Sequence, residues 1–220
     1  MSPLDRDIAF DSMGNTSRYN LSFSAASLRV DMARIVAETY LDMGDWSLAR
    51  QRILSQNALQ ARMPSSSVRM EREIRQRVQL LTLQQIEILA KAPSDSRVAV
   101  VWLSMLKRSA FVFEFAAEVL RAKLQTMDTI LRPSDYEAFH VAKSAGHPEL
   151  AGLTSASQVK VKQVLLTMLH EVGILAASGL NNRISRPVVP HDVLAAILAD
   201  NRRWLAGFLV PDAEILSTRG

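Results

Sequence analysis

Arginine is concentrated in one short stretch of this chain. Seven arginines and only two acidic residues, Glu71 and Glu73, occur between positions 50 and 77. A guanidinium group presents a planar fork of donors that matches phosphate oxygens and guanine edges, so the stretch predicts a surface that binds nucleic acid. The seven residues are Arg50, Arg52, Arg62, Arg69, Arg72, Arg75 and Arg77.

The spacing of apolar residues predicts which side of this stretch faces solvent. A helix opened by Ser65–Ser67 would place Arg69, Arg72 and Gln76 on one face, with Arg75 beside them. The opposite face carries apolar residues at helical spacing, and we expect these to lie in the core: Met70, Ile74, Val78 and Leu81.

Two shorter predicted helices precede the arginine helix, and Gly44 ends the first of them. This order is typical of a helix-turn-helix, which we assign to residues 24–81. The free N–H groups at the start of its last helix suit a phosphate. An Arg-rich face that is merely solvated is the alternative, and Glu71 and Glu73 would lie close to the phosphates and weaken binding. The predicted DNA contacts are Arg62, Ser66, Arg69, Arg72, Arg75 and Arg77.

A second candidate lies in the other half of the chain. Thr154 opens a helix with polar and basic residues near its start, and Gly173 ends it. The Gly179–Val189 segment would be the wing of a winged helix-turn-helix spanning residues 154–190. An ordinary amphipathic helix followed by a loop is the alternative, and the sequence leaves both open. The predicted contacts here are Lys160, Lys162, Arg183 and Arg186.

Helical periodicity and capping residues recur along the chain, whereas strand alternation does not. We therefore expect an all-α fold of two packed helical halves, each with a helix-turn-helix-like element, and a short wing hairpin in the second. Residues 1–20 are expected to be flexible, 21–132 to form the N-terminal half and 133–220 the C-terminal half, with the break at Arg132–Pro133. The segments Ser94–Trp102 and Ala110–Met127 are expected to form the central core.

Composition argues against several classes of function. The chain has no cysteine, its formal net charge is +4 and its four histidines are scattered. We expect no catalytic residues, no metal site and no cofactor. The apolar runs are too short to span a membrane, and no secretion signal is evident, so we expect a cytoplasmic monomer with no membrane partner.

Motifs spread along the chain resemble the BrxA family, a small core component of the bacteriophage exclusion (BREX) system. The resemblance runs from about Tyr19 to Leu175. The residues that carry it are Tyr19-Asn-Leu-Ser-Phe-Ser, Tyr40-Leu-Asp-Met-Gly-Asp-Trp46, Asn57-Ala-Leu-Gln-Ala-Arg62 with Ser65–Ser67, Glu118-Val-Leu120, His147-Pro-Glu-Leu150 and Met168-Leu-His-Glu-Val-Gly-Ile-Leu175.

The resemblance implies an all-helical protein that binds double-stranded DNA beside a DNA methyltransferase and other BREX proteins, and it implies no catalytic residues. The alternative is a protein–protein adaptor, in which the Arg-rich face docks onto an acidic partner and assembles the defence complex without binding DNA.

Overall fold

The computed structural model describes residues 18–25, 27–176 and 182–217, and within them every regular element is helical, which confirms the all-α class. Most of the segment expected to be flexible, residues 1–17, and the centre of the expected wing, residues 177–181, lie outside the described ranges. The α-helices are α1 (Val30–Met43), α2 (Trp46–Ser55), α3 (Pro64–Val78), α4 (Leu83–Lys91), α5 (Ser94–Arg108), α6 (Ala110–Glu114), α7 (Arg121–Gln125), α8 (Pro133–Ser144), α9 (Pro148–Ala151), α10 (Ser155–Glu171), α11 (His191–Asp200) and α12 (Asp212–Ser217).

The corner between α1 and α2 forms as the sequence predicts. Gly44 adopts a left-handed conformation with φ 67°, and its N–H donates to the Tyr40 carbonyl. The Asp45 carboxylate then accepts from the N–H groups of Ser47 and Leu48, at 2.8 and 2.9 Å, and starts α2. The Tyr40 and Trp46 rings stack across the corner with centroids 3.8 Å apart. These local contacts fix the corner between α1 and α2.

Two helices begin away from the nearest serines that could cap them. Ser22 and Ser24 precede the first helix, but Ser22 lies in a 3-10 turn, Ser22–Ala25, and α1 begins after Arg29. Helix α8 begins at Pro133, so Arg132 is its cap rather than Ser134. Proline has no N–H to satisfy and favours the first helical position, which moves the cap back by two residues.

The centre of the core is formed by the two apolar segments from which the sequence predicts it, Ser94–Trp102 and Ala110–Met127. Helix α5 leads through Ser109 into α6, and a π-helical turn, Phe115–Leu120, joins α6 to α7. Trp102 and Phe111 are fully buried in this unit. The indole N–H of Trp102 donates to the Gly207 carbonyl in a second 3-10 segment, Arg202–Phe208, at 3.0 Å. The C-terminal end of the chain therefore packs on the same core as the N-terminal half.

The first described residues form a strap that contacts both halves. We call residues 18–25 and 27–29 the N-terminal strap. The Tyr19 N–H donates to a Glu149 carboxylate oxygen at 2.5 Å, and its hydroxyl donates to Glu114. The Leu28 N–H donates to a Glu171 carboxylate oxygen at the end of α10, at 2.8 Å. Because the strap also lies against α3 through Ser27, it links the two helices that carry the predicted DNA contacts.

The strap should weaken in acid when its carboxylate partner is protonated. Desolvation raises the pKa of Glu149, but hydrogen bonds from backbone N–H groups and from His147 outweigh it and lower the pKa on balance. The ionised form is therefore favoured by folding. Its contribution is complete above the ordinary pKa of 4.5 and is lost as the pH falls below that value.

We expect Glu149→Ala to lower the free energy of unfolding by about 1.5–3 kcal/mol at pH 7, since a charged acceptor is lost. The difference from the unsubstituted protein should shrink at pH 3. Urea unfolding at both pH values measures it, with Glu87→Ala, an exposed carboxylate on α4, as the control. An equal difference at both pH values would show that the Glu149 charge does not hold the strap.

Candidate nucleic-acid interface

The two acidic residues of α3 face the interior. The Glu71 side chain is 0 % exposed, and the Arg75 Nε donates to it at 2.6 Å. Arg50 on α2 lies 3.5 Å from the other Glu71 oxygen. Glu73 is also buried. The expectation that these acids lie close to a bound phosphate is therefore wrong, because arginine counter-charges let the buried face of α3 include them.

Two arginines that were predicted to contact DNA are instead paired with these buried acids. Arg77 is 2 % exposed, its Nη1 donates to the Ser27 carbonyl at 3.3 Å, and its Nε lies 3.9 Å from Glu73. Burial lowers the pKa of Arg77 to about 10, so the guanidinium remains charged at neutral pH. The prediction that Arg77 contacts DNA is wrong because no phosphate can reach it. The Arg75 charge is compensated by Glu71.

The outer face of α3 carries the arginines that remain. Arg69 and Arg72 are exposed, and neither makes a hydrogen bond or ion pair with any part of the chain that the structure describes. Arg62, in the loop before α3, is also exposed and makes no hydrogen bond or ion pair with the described residues. Ser66 is half-buried in the first turn, where its N–H donates to the Met63 carbonyl at 3.0 Å. We refer to Arg62, Arg69 and Arg72 as the α3 cation group.

Helix α10 presents one of its two predicted lysines to solvent. Lys160 is exposed and has no ion-pair or hydrogen-bond partner among the described residues. Lys162 is half-buried, with its Nζ 3.4 Å from a Glu137 oxygen and 5.2 Å from the centre of the Tyr136 ring. Lys160 can therefore bind an anion, whereas the Lys162 ammonium group already contacts Glu137 and Tyr136 of α8.

Three short extended segments meet next to α10. Gly173 turns the chain with φ 78° after the helix, and antiparallel bridges join Leu175 to Ile184 and Ile130 to Arg183. The Arg183 side chain is exposed. Arg186 instead forms a two-pronged ion pair with Glu214, at 2.8 and 2.7 Å, which lowers the pKa of that carboxyl group. Of these two predicted contacts, only Arg183 keeps an unpaired charge within the described ranges.

The exposed cations among the predicted contacts are suited to binding polyanions. No carboxylate of α3 competes with the α3 cation group. Among the described residues, no three metal-ligating side chains come together. None of the described helices has the length and apolar character that a membrane span needs. We call the predicted contacts that remain exposed and unpaired the available cations: Arg62, Arg69, Arg72, Lys160 and Arg183.

One signal in the sequence points to the pairing of the acids with arginine. Each acid of α3 has an arginine four residues later, Arg75 after Glu71 and Arg77 after Glu73, which is the spacing at which side chains pair on a helix. The strap carboxylates Glu149 and Glu171 have no comparable local signal.

Comparisons with known proteins agree on one family. The family model described as BrxA matches residues 17–201. A BREX protein BrxA from Bacillus cereus (strain H3081.97) is 27 % identical over 150 residues, 68 % of this chain and 75 % of that protein. A BREX protein BrxA from Escherichia coli O9:H4 (strain HS) is 26 % identical over 141 residues, 64 % of this chain and 66 % of that protein.

A solved structure shares the fold. The crystal structure of an uncharacterized protein from Magnetospirillum magneticum superposes with a TM-score of 0.75 at 18 % identity, covering 87 % of this chain and 98 % of that one. At this identity the likeness concerns the fold alone.

The different placement of the arginines has a measurable consequence for stability. We expect Arg77→Ala to lower the free energy of unfolding by about 3–5 kcal/mol, because Glu73 would be left buried without a counter-charge. Arg69→Ala, on the exposed face of the same helix, should change it by less than about 0.5 kcal/mol. Urea unfolding of both variants tests this, and equal stabilities would contradict the burial of Arg77.

Proposed function

The chain belongs to the BrxA family of BREX phage-defence proteins, and from that premise we propose that it is a non-enzymatic component that binds double-stranded DNA beside the DNA methyltransferase of the system. The observation that carries the proposal is the sorting of charge on α3. Arg69 and Arg72 face solvent without partners among the described residues, while the acids of the same helix face the core.

This sorting favours DNA on physical grounds. Each exposed cation that reaches a phosphate releases condensed counterions from the duplex, which is the main source of sequence-independent affinity. A carboxylate on the same face would oppose the phosphates, and here both acids are buried in ion pairs. The outer face of α3 therefore presents its cations to a polyanion with no acid between them.

The order of elements supports two helix-turn-helix units as the means of binding. Residues 24–81 place α2 and a short loop before the exposed face of α3. Residues 154–190 contain α10 followed by the bridge between Leu175 and Ile184, which is where a wing would start. In this proposal the α3 cation group and Lys160 contact the duplex, and Arg183 contacts it from the wing side.

Assembly of other BREX proteins is a second candidate function, and α8 is the observation that favours it. The exposed face of this helix carries Ala138, Val141 and Ala142, and the Val141 side chain is 71 % exposed. Small and branched apolar side chains on an outer helix face suit a protein partner better than a phosphate backbone. This face is separate from the α3 cation group, so the two functions are compatible.

The salt dependence of duplex binding tests the DNA proposal directly. The five available cations predict a slope of log K against log salt of about −4 to −5, at roughly −0.9 per phosphate neutralised. Fluorescence anisotropy with a random-sequence duplex at several salt concentrations measures the slope. No binding at low salt would contradict the proposal and leave assembly as the function.

Removing the exposed arginines of α3 should weaken that binding in a defined way. We expect Arg69→Ala with Arg72→Ala to reduce affinity for every duplex and to make the slope less negative by about 2. Lys91→Ala, which removes an exposed cation on α4, is the control and should leave the slope unchanged. An unchanged slope in the double variant would exclude α3 from the interface.

A further inference from the structure

Helices α3 and α10 expose the same positions. Val68 is the fifth residue of α3, and Val159 is the fifth residue of α10. Both are exposed, at 43 and 54 %. A cation follows each valine, Arg69 in one helix and Lys160 in the other, and both cations are exposed. The two helices therefore present equivalent faces, even though they lie in different halves of the chain.

The exposed parts of the two valines can make an apolar contact with a ligand. A β-branched residue is a poorer helix former than alanine, and about half of each valine side chain stays uncovered by the chain. The shared helical position places this apolar surface beside a cation in both helices. In a DNA major groove, the apolar group at a base edge is the thymine methyl, which small apolar side chains contact.

The faces differ one turn after the valine. Helix α3 has Arg72 at this position, whereas α10 has Gln163. The Gln163 amide has no hydrogen-bond partner among the side chains and backbone groups that the structure describes, and it is exposed. A glutamine amide can donate and accept at once, which matches N6 and N7 of adenine, while an arginine in the same place also suits phosphate.

No acid interrupts the outer face of α10. From Ala156 through Lys160 and Gln163 to Thr167, the exposed positions are neutral or basic. The first acid, Glu171, stands at the end of the helix and accepts the Leu28 N–H. From Ala156 to Thr167 this face therefore carries no acid of its own, and the carboxylate beside it, Glu137 of α8, is paired with Lys162.

Building on the proposed function, we infer that α10 is the base-contacting helix and that Val159 and Gln163 give the protein a preference for adjacent A·T base pairs. Gln163 pairs with the adenine, and Val159, one turn earlier on the same face, contacts a thymine methyl. Helix α3, with Arg69 and Arg72, holds the phosphate backbone and contributes affinity for all sequences.

Selection of duplexes with a randomised core by the full chain, followed by anisotropy titrations, tests the inference. The selected site should contain adjacent A·T pairs, and replacing them with G·C should weaken binding by about 5- to 150-fold. We call the affinity for the selected duplex divided by the affinity for the G·C duplex the A·T preference ratio. Gln163→Ala should remove most of this ratio and leave the affinity for the G·C duplex unchanged. Val159→Ala should reduce the ratio by a smaller factor.

Two controls separate this inference from the proposed function. Arg72→Ala changes the α3 position equivalent to Gln163. This variant should bind the A·T and G·C duplexes more weakly by the same factor and should select the same site as the unsubstituted protein. Gln84→Ala, which removes an exposed glutamine on α4, should change the affinity for neither duplex.

The outcomes differ for the two ideas. If the protein binds duplex DNA but selects no A·T-containing site, or if Gln163→Ala and Val159→Ala keep the full ratio, the inference is wrong and the proposed function stands. If no duplex binds at low salt, both are wrong.

Discussion

The inward pairing of two carboxylates on α3 is the interaction on which the rest of the proposed surface depends. Glu71 is held by Arg75 and Arg50, and Glu73 lies beside Arg77. Burying a carboxylate is costly unless a counter-charge accompanies it, and each buried acid has an arginine beside it. What remains outside is a helix face with Arg69 and Arg72 and no acid. The arginine-rich stretch therefore contributes to folding on one side of α3 and, in the proposed function, to binding on the other.

The strap connects this face to the second half of the chain. Arg77 reaches the strap at Ser27, and Glu171 at the end of α10 accepts the Leu28 N–H. The Tyr19 ring stacks on His147 with centroids 3.6 Å apart. Several motifs that resemble the BrxA family, those of Tyr19, His147 and Met168 to Leu175, thus lie at the junctions of the fold. These residues contact distant parts of the chain, whereas the exposed faces of α3 and α10 are where a ligand would meet the protein.

Local signals let the sequence predict the helices and the corner at Gly44, because a cap and its partners lie within three or four residues. The capping box of Thr82 and Gln85 at the start of α4 is local in the same way. The strap could not be predicted in this way, since Tyr19 and Glu149 are 130 residues apart.

The site was predicted only in part. Periodicity placed Arg69 and Arg72 outside correctly, but Arg77 is buried by a strap whose position no local pattern reveals. Likewise, the pairing of Arg186 with Glu214 depends on how α12 folds back. Exposure of a charged residue is thus a property of the whole fold as much as of its own helix.

Placing a single negative charge on the outer face of α3 tests the central claim most directly. Val68→Glu adds a carboxylate at an exposed position, next to Arg69, and should leave the fold unchanged. We expect it to weaken random-duplex binding at low salt by about tenfold and to make the salt slope less negative, because the new charge opposes phosphate. Unchanged affinity and slope in a folded Val68→Glu protein would contradict the claim that this face contacts DNA.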